Sequence, residues 1–154
     1  MSWLTNFVRP KIRALVKKTD VPDNLWDKCP SCGQMIFHRE LEANLRVCPH
    51  CNHHLRIDVK RRLELLFDGG QYERAELPKV ELDPLKFRDR KRYVDRLKDS
   101  QSKTEEQDAI VVASGLLGGQ KVVIAAFNFD FMGGSMGAAV GEGLVTASEI
   151  AVRE

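Results

Sequence analysis

Four cysteines form the group of side chains with the clearest chemistry in this sequence. They follow the pattern C-x2-C-x15-C-x2-C, as Cys29, Cys32, Cys48 and Cys51. Two cysteines separated by two residues can turn both sulfurs toward one point, and two such turns supply the four thiolates of a tetrahedral structural zinc site. The sequence therefore predicts one bound Zn²⁺. This zinc is expected to be structural, because four thiolates leave no open position for a reacting water.

The residues around the cysteines support the same interpretation and leave two alternatives. Each pair reads Cys-Pro-x-Cys and is followed by Gly33 or Asn52, residue types that accept positive φ. Two disulfides would suit a secreted chain, but no secretory signal is visible, and we expect a cytoplasmic location where thiols stay reduced. A Cys3His site is the second alternative, because His50 falls inside the second turn.

The segment between the two cysteine pairs predicts a β-hairpin. Met35 and Phe37, and then Leu45 and Val47, alternate with polar neighbours. Residues 53–57 are expected to add a short third strand. A sheet this small cannot bury enough surface to fold alone, so metal binding is expected to supply the missing stability.

A helix and a charged linker are predicted next. Asp58 is placed to cap a helix that stops near the glycine pair at 69–70. Residues 71–106 are expected to form a linker or extended arm, with a short amphipathic helix that includes Tyr93 and Leu97. The basic excess of this helix indicates a solvated, ion-paired surface or, as the alternative, a phosphate-binding one.

The composition changes at Asp108, where two β-rich runs joined by Gly118-Gly119 predict a hairpin. The glycine-rich loop FMGGSMG and a helix follow. Two strands and one helix do not close a core, so we expect a partner chain or a missing remainder to complete this incomplete domain. The predicted fold class is α/β (α+β), divided into a basic N-terminal tail (1–26), a zinc ribbon (27–57), a helix with a charged linker (58–106) and the start of a further domain (107–154).

The bulk composition excludes few functions. The 154 residues carry a formal net charge of +2, so total charge does not point to nucleic acid. No apolar run approaches the roughly 18 residues of a membrane span. The first eighteen residues hold five basic and no acidic residues. An organellar transit peptide or a membrane-surface helix is disfavoured there, since Pro10 would break the helix, and we expect a basic tail that packs on its own protein or on a partner.

Taken in order, these segments resemble one family, the β subunit of the carboxyltransferase of bacterial and plastid acetyl-CoA carboxylase. The resemblance rests on LWDKCPSCG, VCPHCNHHLRI, DPLKFRDRKRYVDRL and FNFDFMGGSMG, the last followed by Gly141-Glu142. It implies transfer of CO2 from carboxybiotin, held on a biotin carrier protein, to acetyl-CoA, which gives malonyl-CoA for fatty-acid synthesis. It also implies a crotonase-like α/β superhelix that begins in this chain, an α subunit and biotin carboxylase as partners, and a ribbon that is not catalytic.

The resemblance carries over one candidate substrate loop and no catalytic residue. Candidates for contact with acyl-CoA are the loop residues Gly133, Gly134, Ser135, Met136 and Gly137. The family's Ser-Gly-Gly-Ala-Arg oxyanion turn does not occur in the sequence. We therefore expect the 154-residue chain alone to lack carboxyltransferase activity.

Two alternative functions stay open at this point. The first is a zinc-ribbon module that binds nucleic acid, since basic residues outnumber acidic ones between residues 28 and 64. The second is a subunit of a related biotin-dependent acyl-CoA carboxylase or decarboxylase.

Overall fold

The computed structural model describes residues 25–153 and separates into two compact units, one ending at Arg56 and the other beginning at Ile57. In the first unit, strands β1 (Trp26–Lys28) and β2 (Met35–Phe37) pair in antiparallel register. Helix α1 (His38–Ala43) follows directly. Its small core consists of Cys29, Ile36, Leu41 and Cys48, with Leu55 packed against them.

The hairpin predicted between the two cysteine pairs is wrong. The partner of β2 is β1, which precedes the first pair, and residues 38–43 are helical instead of extended. The sequence there is rich in helix formers, and the helix brings Leu41 to complete burial. The strand predicted at 53–57 is also wrong, since a single bridge between Val47 and His54 is the pairing found there.

The second unit contains a three-stranded antiparallel sheet in which strands β3 (Tyr72–Arg74), β4 (Ile110–Leu117) and β5 (Gln120–Phe127) lie in that order. The hairpin predicted at Gly118-Gly119 is confirmed, and both glycines have positive φ. The predicted helix after the glycine-rich loop is also confirmed. In chain order the elements are α2 (Val59–Leu66), a 3-10 turn (Asp68–Gly70), β3 (Tyr72–Arg74), α3 (Tyr93–Thr104), β4 (Ile110–Leu117), β5 (Gln120–Phe127) and α4 (Ala138–Arg153).

Strand β4 is buried on both faces at its N-terminal half. Ile110 and Val112 belong to a cluster that includes residues of α3 and α4, whereas Val111 and Ala113 belong to a cluster formed with α2. Because successive side chains of a strand point to opposite faces, the run of apolar residues is explained by a helix on each side of the sheet. This sheet holds the glycine-rich loop at the end of β5.

The helix predicted after Asp58 is confirmed, since the Arg61 N–H donates to Asp58 Oδ1 at 2.8 Å. The linker predicted at 71–106 is partly wrong. Residues 72–74 form β3 because they pair with β4. The Ala75 N–H extends this pairing by donating a hydrogen bond to the carbonyl of Val112 in β4. The short helix predicted around Tyr93 and Leu97 is confirmed as α3.

The structure does not test two of the sequence predictions, the N-terminal tail and the domain limits. The basic N-terminal tail lies outside the described residues, apart from its last two positions. The predicted domain limits at 57 and 106 stay predictions. Among the described helices, none is long and apolar enough to cross a membrane.

Candidate metal centre and substrate loop

The two cysteine turns of the ribbon repeat one backbone pattern. In the first, the Gly33 N–H donates to the carbonyl of Cys29, and the Cys29 N–H donates to that of Gln34, both at 2.9 Å. In the second, the Asn52 N–H donates to the carbonyl of Cys48, also at 2.9 Å. Gly33 and Asn52 have φ of 74° and 58°, so the residue types that the sequence places there are those that this turn requires.

The repeated turns bring the four predicted ligands together. The Sγ atoms of Cys29 and Cys51 lie 3.7 Å apart, those of Cys32 and Cys48 lie 3.8 Å apart, and all four lie within 4.8 Å of one another. A zinc ion with Zn–S bonds of about 2.3 Å at the centre of a tetrahedron separates its sulfurs by about 3.8 Å. The four cysteines are therefore positioned to hold one metal ion of this size.

The burial of the cysteines is asymmetric. Cys29 and Cys48 are buried, whereas Cys32 and Cys51 are exposed. The two buried cysteines pack with Ile36 and Leu41, so the metal centre and the core of the ribbon are one structure. Losing the ion would remove the cross-link that joins the turns and expose this small core.

The electrostatics of the cysteine thiols also fit a cation site. The Cys32 backbone N–H contributes most to lowering the pKa of the Cys29 thiol to about 6. At Cys32 the Gln34 N–H favours the thiolate, but lost hydration and the neighbouring sulfurs together raise its pKa to about 12. One thiolate therefore forms easily at this site, whereas further thiolates are disfavoured because their negative charges repel. A divalent cation bound between the sulfurs removes this repulsion.

The structure disfavours both alternatives to a four-cysteine site. The cysteines are free thiols, and their separations far exceed the roughly 2.05 Å of a disulfide bond. Among the described residues, the cluster with the geometry of a metal site contains the four cysteines and no histidine. His38 instead bonds through Nδ1 to Asp27 Oδ2 at 2.8 Å, and His50 is exposed.

The glycine-rich loop joins β5 to α4 and is anchored by Asn128. This side chain is 8% exposed, and its Oδ1 accepts from the Asp130 N–H at 3.0 Å. Its backbone N–H donates to the Ala109 carbonyl at 2.7 Å, which ties the loop to the start of β4. Phe131 is fully buried beneath the loop. The loop is therefore held at its N-terminal end by a buried polar residue and a buried ring.

The five predicted loop residues lie at the surface. Gly133 and Gly134 have φ of 71° and 74°, and Met136 is 79% exposed. A Cβ on Gly134 would lie 3.1 Å from the ring of Phe129, so glycine lets the chain pass close to this aromatic residue. A groove of about 460 Å³ lies beside α3, and of the five loop residues Gly137 alone lines it.

This groove, which we call the apolar groove, was not foreseen from the sequence. The charged segment DPLKFRDRKRYVDRL forms the other side of the groove. No local pattern in the sequence indicated that this segment faces the glycine-rich loop. The lining of the groove includes Leu82, Leu85, Phe87, Met132, Gly137 and Ala138, together with the charged residues Glu81, Asp83, Arg96 and Asp108.

The fold and the site define a class of protein in which a four-cysteine zinc ribbon is followed in the sequence by a mixed helix–strand unit. Residues 26–51 match the family model described as acetyl-CoA carboxylase zinc finger domain. The chain belongs to the family of acetyl-CoA carboxylase carboxyl transferase subunit beta. The family and the zinc ribbon expected from the sequence are thus confirmed.

Three relatives, each named acetyl-coenzyme A carboxylase carboxyl transferase subunit beta, show the extent of the similarity. The subunit of Granulibacter bethesdensis is 62% identical over 152 residues, which cover 99% of this chain and 50% of the relative. That of Gluconobacter oxydans is 54% identical over 99% of this chain and 52% of the relative. That of Allorhizobium ampelinum is 53% identical over 100% and 50%. The chain spans about half the length of the curated relatives it matches.

Proposed function

We propose that this chain forms part of a carboxyl transferase β subunit, which transfers a carboxyl group from carboxybiotin to acetyl-CoA and so makes malonyl-CoA. The observation that carries the proposal is the 62% identity to a subunit of that name along 99% of this chain. The ordered ribbon, with all four cysteines in metal-binding geometry, supports it.

The ribbon's role in this proposal is structural. Cys29, Cys32, Cys48 and Cys51 bind one Zn²⁺, whose four thiolate ligands leave no position for substrate. The ion holds together a unit whose core is only a few side chains. The chemistry is therefore assigned to the other unit and to the parts of the family's longer chains that this sequence does not cover.

The glycine-rich loop is proposed to contact the acyl-CoA substrate. Carboxyl transfer to a thioester develops negative charge on its oxygen, and fixed backbone N–H donors stabilise such charge by a few kcal/mol each. Residues 133–137 offer an exposed backbone whose start is fixed by Asn128 and Phe131. Their glycines allow close approach of a ligand to the main chain.

The partners follow from the same proposal. An α subunit, a biotin carrier protein and biotin carboxylase would supply the remaining steps of the acetyl-CoA carboxylase reaction. A cytoplasmic location, and the choice of acetyl-CoA over the substrates of related biotin-dependent carboxylases or decarboxylases, stay predictions.

The nucleic-acid alternative gains no support. Two of the basic residues that suggested it are ion-paired within the chain, since Arg46 contacts Glu42 at 2.7 Å and Arg61 contacts Glu64 at 3.2 Å. The matched family and relatives are named for acetyl-CoA carboxylase.

A chimeric subunit tests the proposed function. This chain would replace the matching half of the Granulibacter bethesdensis subunit, and the product would be assembled with the α subunit of that organism. Malonyl-CoA formation from acetyl-CoA and carboxybiotin would be measured beside the unaltered pair. We expect a rate within about tenfold of the parent, a difference of about 1.4 kcal/mol in the barrier. An assembled, folded chimera without activity would contradict the proposal.

A further inference from the structure

The two strands of the ribbon carry an exposed apolar face. Their register places Trp26 opposite Phe37 and Lys28 opposite Met35. Because successive side chains of a strand point to opposite faces, these four lie on the side away from the buried Ile36. Trp26 is 57% exposed and Met35 is 52% exposed, and the rings of Trp26 and Phe37 meet edge to face with their centroids 5.5 Å apart. We call the surface formed by these four residues the aromatic face.

The aromatic face is apolar but too small to hold a free partner protein by itself. Clusters of exposed large apolar side chains mark contact sites on proteins. Stable protein complexes bury about 800 Å² on each partner. Three partly exposed apolar side chains on two strands of three residues each offer only a fraction of that area. The geometry therefore favours an occupant that is already attached to the ribbon, because a tether raises its effective concentration.

The chain that leads into β1 supplies such an occupant. Residues 1–24 lie outside the part that the structure describes, and their sequence is amphipathic. Within residues 11–18, which we call the tail segment, Ile12, Leu15 and Val16 recur at helical spacing among basic residues. Residues 19–24 connect this segment to the ribbon and can span about 20 Å when extended, which exceeds the length of the three-residue β1. The tail segment can therefore reach back over the strand that follows it.

We propose that the tail segment docks on the aromatic face of its own ribbon. Ile12, Leu15 and Val16 cover Trp26 and Met35, while the basic side chains of the segment stay in water. The core of the ribbon lies on the opposite side of the sheet, so docking gives this small unit a second apolar layer. The docking does not depend on the proposed function, because it involves only the ribbon and the residues before it.

Docking at this face should strengthen the hold of the ribbon on its metal. β1 ends at Lys28 and β2 begins at Met35, so the two strands enclose the first cysteine turn. At the base of this turn, the Cys29 N–H donates to the Gln34 carbonyl at 2.9 Å. A segment packed across both strands resists their separation and so keeps Cys29 and Cys32 in place as ligands. The tail segment is therefore expected to slow the loss of zinc.

Quenching of Trp26 fluorescence by acrylamide tests the docking in the full 154-residue chain. The two tryptophans of the chain are Trp3 and Trp26, so Trp3→Phe leaves a single reporter on the aromatic face. In this background, Ile12→Asp with Leu15→Asp should raise the quenching constant about twofold, because the tethered segment no longer covers the ring. The rate of zinc transfer to a chelator should rise about threefold in the same variant, because the strands separate more easily.

Two further variants separate apolar contact from charge. Ile12→Ser with Leu15→Ser removes the apolar contacts without changing the net charge, and it should raise both quantities as the aspartate pair does. The matched control is Lys11→Gln with Lys17→Gln, which lowers the net charge by as much as the aspartate pair and should change neither quantity. Elemental analysis showing one zinc per chain in each variant verifies that the ribbon stays folded.

Three results would overturn the docking. The first is unchanged quenching and zinc transfer in the aspartate and serine pairs. The second is an equal rise of both quantities in the glutamine control, which would indicate a general effect of charge. The third is quenching of the Trp3→Phe chain that weakens as the protein concentration rises, which would assign the aromatic face to a second copy of the chain.

Discussion

Gly143 of α4 lies so close to Ile110 of β4 that a Cβ on this glycine would be 2.8 Å from Cγ2 of Ile110. Contacts this short do not occur between carbon atoms in a packed core, so glycine is what allows the helix to approach the sheet. The same helix contains Gly141, where a Cβ would meet nothing within 4 Å. Within one helical turn, glycine is therefore required by packing at position 143 and not at position 141.

Replacing these glycines by alanine should give opposite results. Gly143→Ala should lower the free energy of unfolding by about 1–3 kcal/mol, because the added methyl group overpacks the helix–sheet contact. Gly141→Ala should raise it by about 0.5–1 kcal/mol, since alanine is the better helix former at an exposed position. Urea unfolding followed by circular dichroism measures both. Equal effects of the two substitutions would show that α4 does not pack on β4 as described.

A second prediction concerns the ligands of the metal. Cys48→Ser should abolish stoichiometric zinc binding and unfold the ribbon, because Cys48 is both a ligand and part of the buried core. His50→Ala, the matched change within the same turn, should keep one zinc per chain. Elemental analysis of the purified variants gives the zinc content. Loss of zinc from the histidine variant would instead favour the Cys3His alternative.

A third prediction concerns Asp68, whose carboxylate accepts from the Gly118 and Gly119 N–H groups at 2.8 Å each. These two bonds, the one from Gly119 first, hold the pKa of Asp68 below its ordinary value of 3.8. A carboxylate with a lowered folded-state pKa stabilises the fold above its unfolded pKa, and the contribution is lost as pH falls through the folded-state value.

Asp68→Asn should therefore lower the melting temperature at pH 7 by more than it does near pH 3. The physical reason is that, as the pH falls, the carboxyl of the unfolded chain takes up its proton before that of the folded chain, so the stabilisation by the charge shrinks. Glu73→Gln, an exposed change on β3, serves as the control and should have little effect at either pH. A pH-independent difference for Asp68→Asn would mean that the turn contacts do not depend on the charge.

Local signals in the sequence predicted the parts of the fold that depend on neighbouring residues. The cap at Asp58, the turn at Gly118-Gly119 and the cysteine turns are each specified by residues within a few positions of one another, and each is confirmed. The metal centre could be predicted because its two halves carry the same short motif.

The elements that were missed depend on contacts distant in sequence. Strand β3 has only three residues and forms because it pairs with β4 about 40 positions later. Helix α1 is the exception, since its own residues are helix formers, and it was missed because the alternating pattern at Met35 and Phe37 and at Leu45 and Val47 predicted a hairpin through it. The apolar groove was not visible either, since the loop at Phe87 and the loop at Gly137 meet only in the folded chain.

The most direct measurement for the account as a whole is X-ray absorption at the zinc edge of the purified chain. Both the family assignment and the organisation of the first unit depend on the four-cysteine ribbon. We predict one zinc per chain, coordinated by four sulfur atoms at about 2.3 Å. A first coordination shell containing nitrogen or oxygen, or folded protein without stoichiometric zinc, would contradict the account.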